Sequence, residues 1–147
     1  MSATGLDVFD KTVQTTNIWL NEISDEIGPD RNLAWHVLGT VLRTVRDRVP
    51  HELGAHLGAE LPLIVRGAYY DGYRPSQQPE RIRSRDEFLE RVADGLEGLR
   101  PINPEAAIKA VLGTVSRHLP EGQIAKLRDA LPDSIRPLWP DGNAKAH

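Results

Sequence analysis

The chain has 147 residues, 18 basic and 21 acidic side chains, a formal net charge of −3 and no cysteine. That length suits one globular domain able to bury roughly two thirds of its unfolded surface, while the missing cysteine excludes disulfides, thiolate metal sites and a cysteine nucleophile. Mixed charge leaves no basic footprint for nucleic acid or an anionic membrane, and neither a secretory leader pattern nor a membrane-length apolar run is present, so a cytoplasmic protein without a nucleic-acid or membrane partner is expected.

Phe9, Val13, Thr16, Leu20, Ile23 and Ile27 recur at alternating spacings of four and three, the period of one helix face, and predict a first helix from about Asp7 to Ile27. Its many β-branched residues make it depend on burial of that stripe, and Gly28-Pro29 ends it. Asp30 is placed to cap a second helix by accepting from its free amides. Ala34, Val37, Leu38, Val41, Leu42 and Val45 form the apolar stripe of that helix, with Arg43, Arg46, Asp47 and Arg48 expected mostly on its wet side. Pro50 opens a third helix with Leu53, Leu57 and Leu61 buried. Pro62 starts a shorter fourth through Leu63, Ile64, Val65 and Tyr69-Tyr70, and Gly72 is placed to end it.

From Tyr73 to Arg83 the chain has no apolar period and reads as a connector; it carries Arg74, Arg81 and Arg83, which read most simply as part of a solvated segment. Ser84 and Glu87 then form a capping box before Phe88, Leu89, Val92, Leu96 and Leu99. Asn103 and Pro104 open the next helix, whose stripe is Ala107, Ile108, Val111, Leu112, Val115 and Leu119. Pro120 to Leu131 repeats the third helix, and Pro132 to Trp139 repeats the fourth in truncated form.

This second programme is a duplication of the first. Val37-Leu38-Gly39-Thr40-Val41 recurs as Val111-Leu112-Gly113-Thr114-Val115, and Leu61-Pro62, Val65-Arg66 and Tyr69 answer Leu131-Pro132, Ile135-Arg136 and Trp139. With no sustained alternation of two, the fold expected is all-α: one domain of two similar units of about four helices each, packed about a pseudo-twofold axis. The units span residues 7–73 and 84–140, joined by a connector at 74–83 and followed by a flexible tail at 141–147. Gly39 and Gly113 sit mid-helix, where glycine costs about 1 kcal/mol against alanine, and are expected to form a packing seam where the two central helices cross.

The candidate binding residues are Arg66, Tyr69, Tyr70, Asp71, Tyr73, Arg74, Arg136 and Trp139. Arg66 and Arg136 each precede an aromatic by one turn, suiting either a structural bond to a carboxylate or helix end, or an anion site. Tyr69 to Arg74 has no counterpart in the second unit beyond its one aromatic, so function is expected where the copies differ. His51 and His56 are five apart and deny the zinc pairing that a spacing of four would give; His36 alone is a weak candidate for a haem ligand. No nucleophile, acid–base pair, phosphate loop or metal cluster is recognisable, and no cofactor or metal is expected.

Phe9-Asp10-Lys11-Thr12, Thr15-Thr16-Asn17-Ile18-Trp19-Leu20, His56-Leu57-Gly58-Ala59-Glu60-Leu61-Pro62, Val65-Arg66-Gly67 with Tyr69-Tyr70-Asp71-Gly72, and Arg83 to Leu89 together resemble the bacterial family known as domain of unknown function 2267, over about Leu6 to Pro140. Tyr73 stands where that family usually has Trp. The resemblance implies a small helical bacterial protein with a duplicated core; it brings no known reaction, so no catalytic residue carries over. The expected function is a non-enzymatic module that binds a protein partner or assembles with itself. The alternative is a small-molecule or cofactor binder using a groove between the repeats bordered by Arg66, Arg136, Tyr69, Tyr70 and Trp139.

Overall fold

The structure, a computed structural model, describes residues 3–140, so the expected tail at 141–147 lies outside the described residues. It is all-α, with no strand among those residues. The helices are α1 (Asp7–Ile27), α2 (Arg31–Arg48), α3 (His51–Glu60), α4 (Leu63–Tyr70), α5 (Arg85–Gly95), α6 (Pro104–His118) and α7 (Glu121–Ala130), with 3-10 turns at Pro75–Gln77 and Arg136–Leu138.

Local chemistry sets most of these boundaries. Gly28 closes α1 at φ 112°, a conformation costly for any residue with a side chain, and its amide donates to the Ser24 carbonyl at 2.8 Å. Asp30 accepts from the Leu33 amide at 3.0 Å, and Asn103 from the Glu105 amide at 2.9 Å. At Ser84 the hydroxyl oxygen accepts from the Glu87 amide, while the Glu87 carboxylate takes the Ser84 hydroxyl proton rather than the backbone amide of a full capping box.

The centre is built from α1, α2, α5 and α6. α1 packs on α2 and α6, α2 also on α5 and α6, and α5 on α6. α3 and α4 pack on α2 and on each other, α4 also meets α1, α7 meets α3, and the Arg136–Leu138 turn lies on α6. Trp19, Ile23, Leu38, Leu42, Phe88, Ile108 and Leu112 fill the space between the central helices.

Four expectations are corrected. The C-terminal half of α2 has no wet face. Arg46 is only 4% exposed, because the end of α4 and its cap fold over it and supply the Tyr69 and Asp71 carbonyl oxygens for its guanidinium. Second, of the expected α1 stripe only Thr16, Leu20 and Ile23 are buried, with Thr12 and Trp19 beside them; Phe9 and Val13 stay exposed because in its first turns α1 meets α4 through the face that carries Thr12, whose hydroxyl accepts from the Ile64 amide. Leu63 and Ile64 at the start of α4 are exposed as well. Third, the eighth helix is missing. Pro132 to Trp139 forms turns ending in 3-10 geometry, since Pro137 lacks an amide proton and disfavours α geometry at Arg136.

The fourth correction concerns the glycines. α2 and α6 do pack together, but Gly39 and Gly113 do not make the seam. A Cβ on Gly39 would meet Nη1 of Arg43 at 2.8 Å, and one on Gly113 would meet Nη1 of Arg117 at 3.5 Å and Cγ of Pro140 at 3.7 Å. Each glycine lies against the arginine one turn later in its own helix. The close approach between helices is elsewhere, where a Cβ on Gly95 of α5 would come within 2.6 Å of Cγ2 of Thr40 on α2. The connector also contributes more than expected, burying Ile82 to 3% exposure.

Candidate functional site

Arg66 and Arg136 are occupied with closing helices. Nε of Arg66 donates to the Gly58 carbonyl at 2.9 Å, and its Nη2 donates to those of Ala59 and Leu61, all at the C-terminal end of α3. Arg136 does the same for α7, donating from Nε to Leu131 and from Nη2 to Asp129, with Asp133 as an ion-pair partner at 2.7 Å. The last carbonyls of a helix lack intrahelical donors and carry the negative end of its dipole, which a guanidinium answers on both counts.

The paired aromatics are equally committed. Tyr69 is fully buried and its hydroxyl donates to the Gly54 carbonyl at 2.5 Å. Burial, with Tyr70 close by, pushes the Tyr69 pKa far above the ordinary phenol value, so the group is a neutral donor. Trp139 is 4% exposed and its indole N–H donates to Oγ of Ser116 at 2.7 Å. The ring of Tyr70 packs edge-on between Tyr69 and Tyr73, and the Tyr73 hydroxyl lies 3.3 Å from Nδ1 of His51. Asp71 and Arg74 are exposed, and Asp71 enters this cluster through its backbone carbonyl. The side-chain groups of Arg66, Arg136, Tyr69 and Trp139 thus all have partners inside the chain.

What holds this region is α2. Nη1 of Arg46 donates to the carbonyls of Tyr69 at 2.6 Å and Asp71 at 2.8 Å, Nε pairs with Asp47 at 2.8 Å, and the guanidinium carbon sits 5.2 Å from the Tyr73 ring centroid. Arg43 donates to the Ala68 carbonyl at 2.9 Å, and burial lowers its pKa against the opposing pull of Asp71. The Ala68, Tyr69 and Asp71 carbonyls, all within the last turn of α4 and its cap, are thus satisfied from one neighbouring helix face.

A largely apolar cleft lies between α1, the α3–α4 junction and the end of α6. It has a volume of about 340 Å³ and is lined by Val8, Lys11, Thr12, Thr15 and Trp19 of α1, Glu60 to Leu63, and His118. Thr12 and Thr15 are spoken for: Oγ1 of Thr12 accepts from the Ile64 amide at 3.1 Å, and the Thr15 hydroxyl donates to the Lys11 carbonyl at 2.9 Å. His118 stacks on Trp19 and pairs through Nε2 with Glu22, which also accepts from Nε of Arg117 at 2.5 Å. Burial would raise the Glu22 pKa, but the His118 and Arg117 hydrogen bonds outweigh it and hold the carboxyl below its usual range. The Trp19 indole N–H is buried with no acceptor.

Sequence reasoning missed this cleft, since Glu22 and His118 are 96 positions apart and no local spacing joins them. The signal it had was indirect: the stretches around Lys11 to Trp19 and Glu60 to Pro62, which carry the family resemblance, meet here. His36 is exposed, and no group of three or more His, Asp or Glu residues among the described residues is arranged to hold a metal. No described helix is long and apolar enough to cross a membrane.

The family model described as "Uncharacterized conserved protein (DUF2267)" matches residues 16–138. The chain belongs to the DUF2267 family. The match takes in all the helices from α2 onward and begins at Thr16, leaving the projecting start of α1 before it. A search of the curated proteins finds no match.

Proposed function

We propose that this DUF2267 chain is a non-enzymatic assembly module that pairs with a second copy of itself through the projecting start of α1. The observation that carries the reading is an unbroken seam: Phe9, Val13, Thr16, Leu20, Ile23 and Ile27 alternate by four and three, as in a helix that packs against another helix along its whole length, with Leu6 just before it. Thr16, Leu20 and Ile23 find that partner inside the chain, whereas Leu6, Phe9 and Val13 are 51%, 46% and 41% exposed. A seam of this spacing fits one amphipathic helix, and a twofold pairing with the same stretch of a second copy buries both seams at once.

The finer architecture belongs to the same reading: two units, residues 7–73 and 84–140, joined at 74–83 and related by an approximate twofold. Exchanging α1 with α5 and α2 with α6 turns the α1–α6 packing into α5–α2 and the α1–α2 packing into α5–α6, both of which occur. Arg66 and Arg136 perform matching tasks in the two halves, each donating to the carbonyls that end the preceding helix. α5 has only 11 residues against the 21 of α1, so the seam is a feature of one unit alone.

Sedimentation across a concentration series tests the pairing. The parent chain is expected to shift from monomer to dimer, and the Phe9→Ser, Val13→Ser double variant to remain monomeric, its substitutions lying at exposed positions. A parent that stays monomeric throughout, or a variant that pairs as tightly as the parent, overturns the reading.

A further inference from the structure

The cleft beside α1 has unmet requirements of both signs. Its apolar walls are Val8, Trp19, Leu61, Pro62 and Leu63. Of its polar groups, Thr12, Thr15 and His118 already have partners inside the chain. Two are left over: the Lys11 ammonium and the Glu60 carboxylate, both exposed at the rim, form no ion pair with any described residue, and not with each other. An apolar cleft of this size with a few unspent polar groups is the usual form of a small-molecule site.

We infer that this cleft binds a free apolar α-amino acid, with its carboxylate toward Lys11, its ammonium toward Glu60 and its side chain against Trp19 and Leu61 to Leu63. A ligand with only an anionic head leaves Glu60 as a repelling like charge, and one with only a cationic head does the same with Lys11. A zwitterion meets both. The volume of about 340 Å³ admits a side chain the size of leucine or phenylalanine. The inference stands on the cleft and its charges, and is independent of pairing through Phe9 and Val13.

Isothermal titration calorimetry with L-leucine, N-acetyl-L-leucine and L-leucinamide tests it, using the full chain and the Lys11→Gln, Glu60→Gln and Trp19→Phe variants. Leucine is expected to bind the parent, the two blocked forms to bind at least about tenfold more weakly, and Lys11→Gln and Glu60→Gln each to weaken leucine by at least about tenfold, the loss expected for one charged contact. Both charge variants alter exposed side chains, so circular dichroism should match the parent. No heat with leucine or phenylalanine up to about 10 mM, where even a millimolar site would saturate, overturns the inference. Equal binding of acetyl-leucine or leucinamide, or leucine affinity unchanged in both charge variants, overturns it too. Trp19→Phe keeps an aromatic wall and both charges, so leucine is expected to bind it within a few-fold of the parent, and a loss larger than that of both charge variants overturns the assignment of the head group to Lys11 and Glu60.

Discussion

His118 at the end of α6 stacks on Trp19 in the middle of α1, their ring centroids 5.3 Å apart and their planes 23° from parallel. The stack is held from one side by Glu22, one turn beyond Trp19 on α1, which gathers both His118 and Arg117. A carboxylate on one helix thereby ties the C-terminal end of another, where cations oppose the helix dipole favourably, and the stacked Trp19 and His118 rings form a wall of the cleft.

This arrangement makes stability depend on pH in acid. The Glu22 pKa is lowered from 4.5 in the folded chain, so its contribution is complete above that value and is lost as pH falls through the folded one. Glu22→Gln is expected to cost about 1 kcal/mol at neutral pH, a partly screened network being worth no more. Urea unfolding at pH 7, 5 and 3 should show the parent and the variant converging between pH 5 and 3. A gap that stays constant to pH 3 contradicts the assignment.

Arg46 is the strongest single anchor outside the apolar core. It is 4% exposed, donates to the Tyr69 and Asp71 carbonyls, and lies against the Tyr73 ring. Arg46→Met keeps most of the apolar stem but strands two carbonyls and the Asp47 carboxylate, and a loss of about 3 kcal/mol is expected. Arg66→Met, at a half-buried helix end, should cost about 1 kcal/mol. Thermal or urea unfolding ranks the two, and an Arg46 variant no weaker than the Arg66 one refutes the ordering.

The features legible in the sequence are those whose causes are local. The α1 bounds follow from a periodic stripe and Gly28-Pro29, and the caps at Asp30, Ser84 and Asn103 from side chains within three residues of the amides they meet. Arg46 was misplaced because its acceptors lie 23 and 25 positions away, and a charged residue on a helix carries no sign of carbonyls folding over it. The stripe of α1 was readable as a seam, but not where its intramolecular cover stops, since that depends on the shorter helices around it. The cleft was illegible for the same reason. Its walls come from α1, the α3–α4 junction and α6, and only the folded chain brings Trp19, Glu60 and His118 together.

The repeated glycines give a comparison within one molecule. A Cβ at position 113 finds only ordinary contacts, at 3.5 and 3.7 Å, so Gly113→Ala should stabilise by about 0.5 to 1 kcal/mol through helix propensity alone. At position 39 the same methyl meets Nη1 of Arg43 at 2.8 Å, the nitrogen that donates to the Ala68 carbonyl. The guanidinium must move, and the hydrogen bond closing α4 weakens by about as much as the propensity gain, so Gly39→Ala should come out near zero or destabilising. Had the two glycines formed a shared seam between α2 and α6, both substitutions would destabilise. Unfolding free energies of the two single variants decide it: a stabilised Gly113→Ala beside an unimproved Gly39→Ala supports the arginine-covered geometry, and losses of similar size in both overturn it.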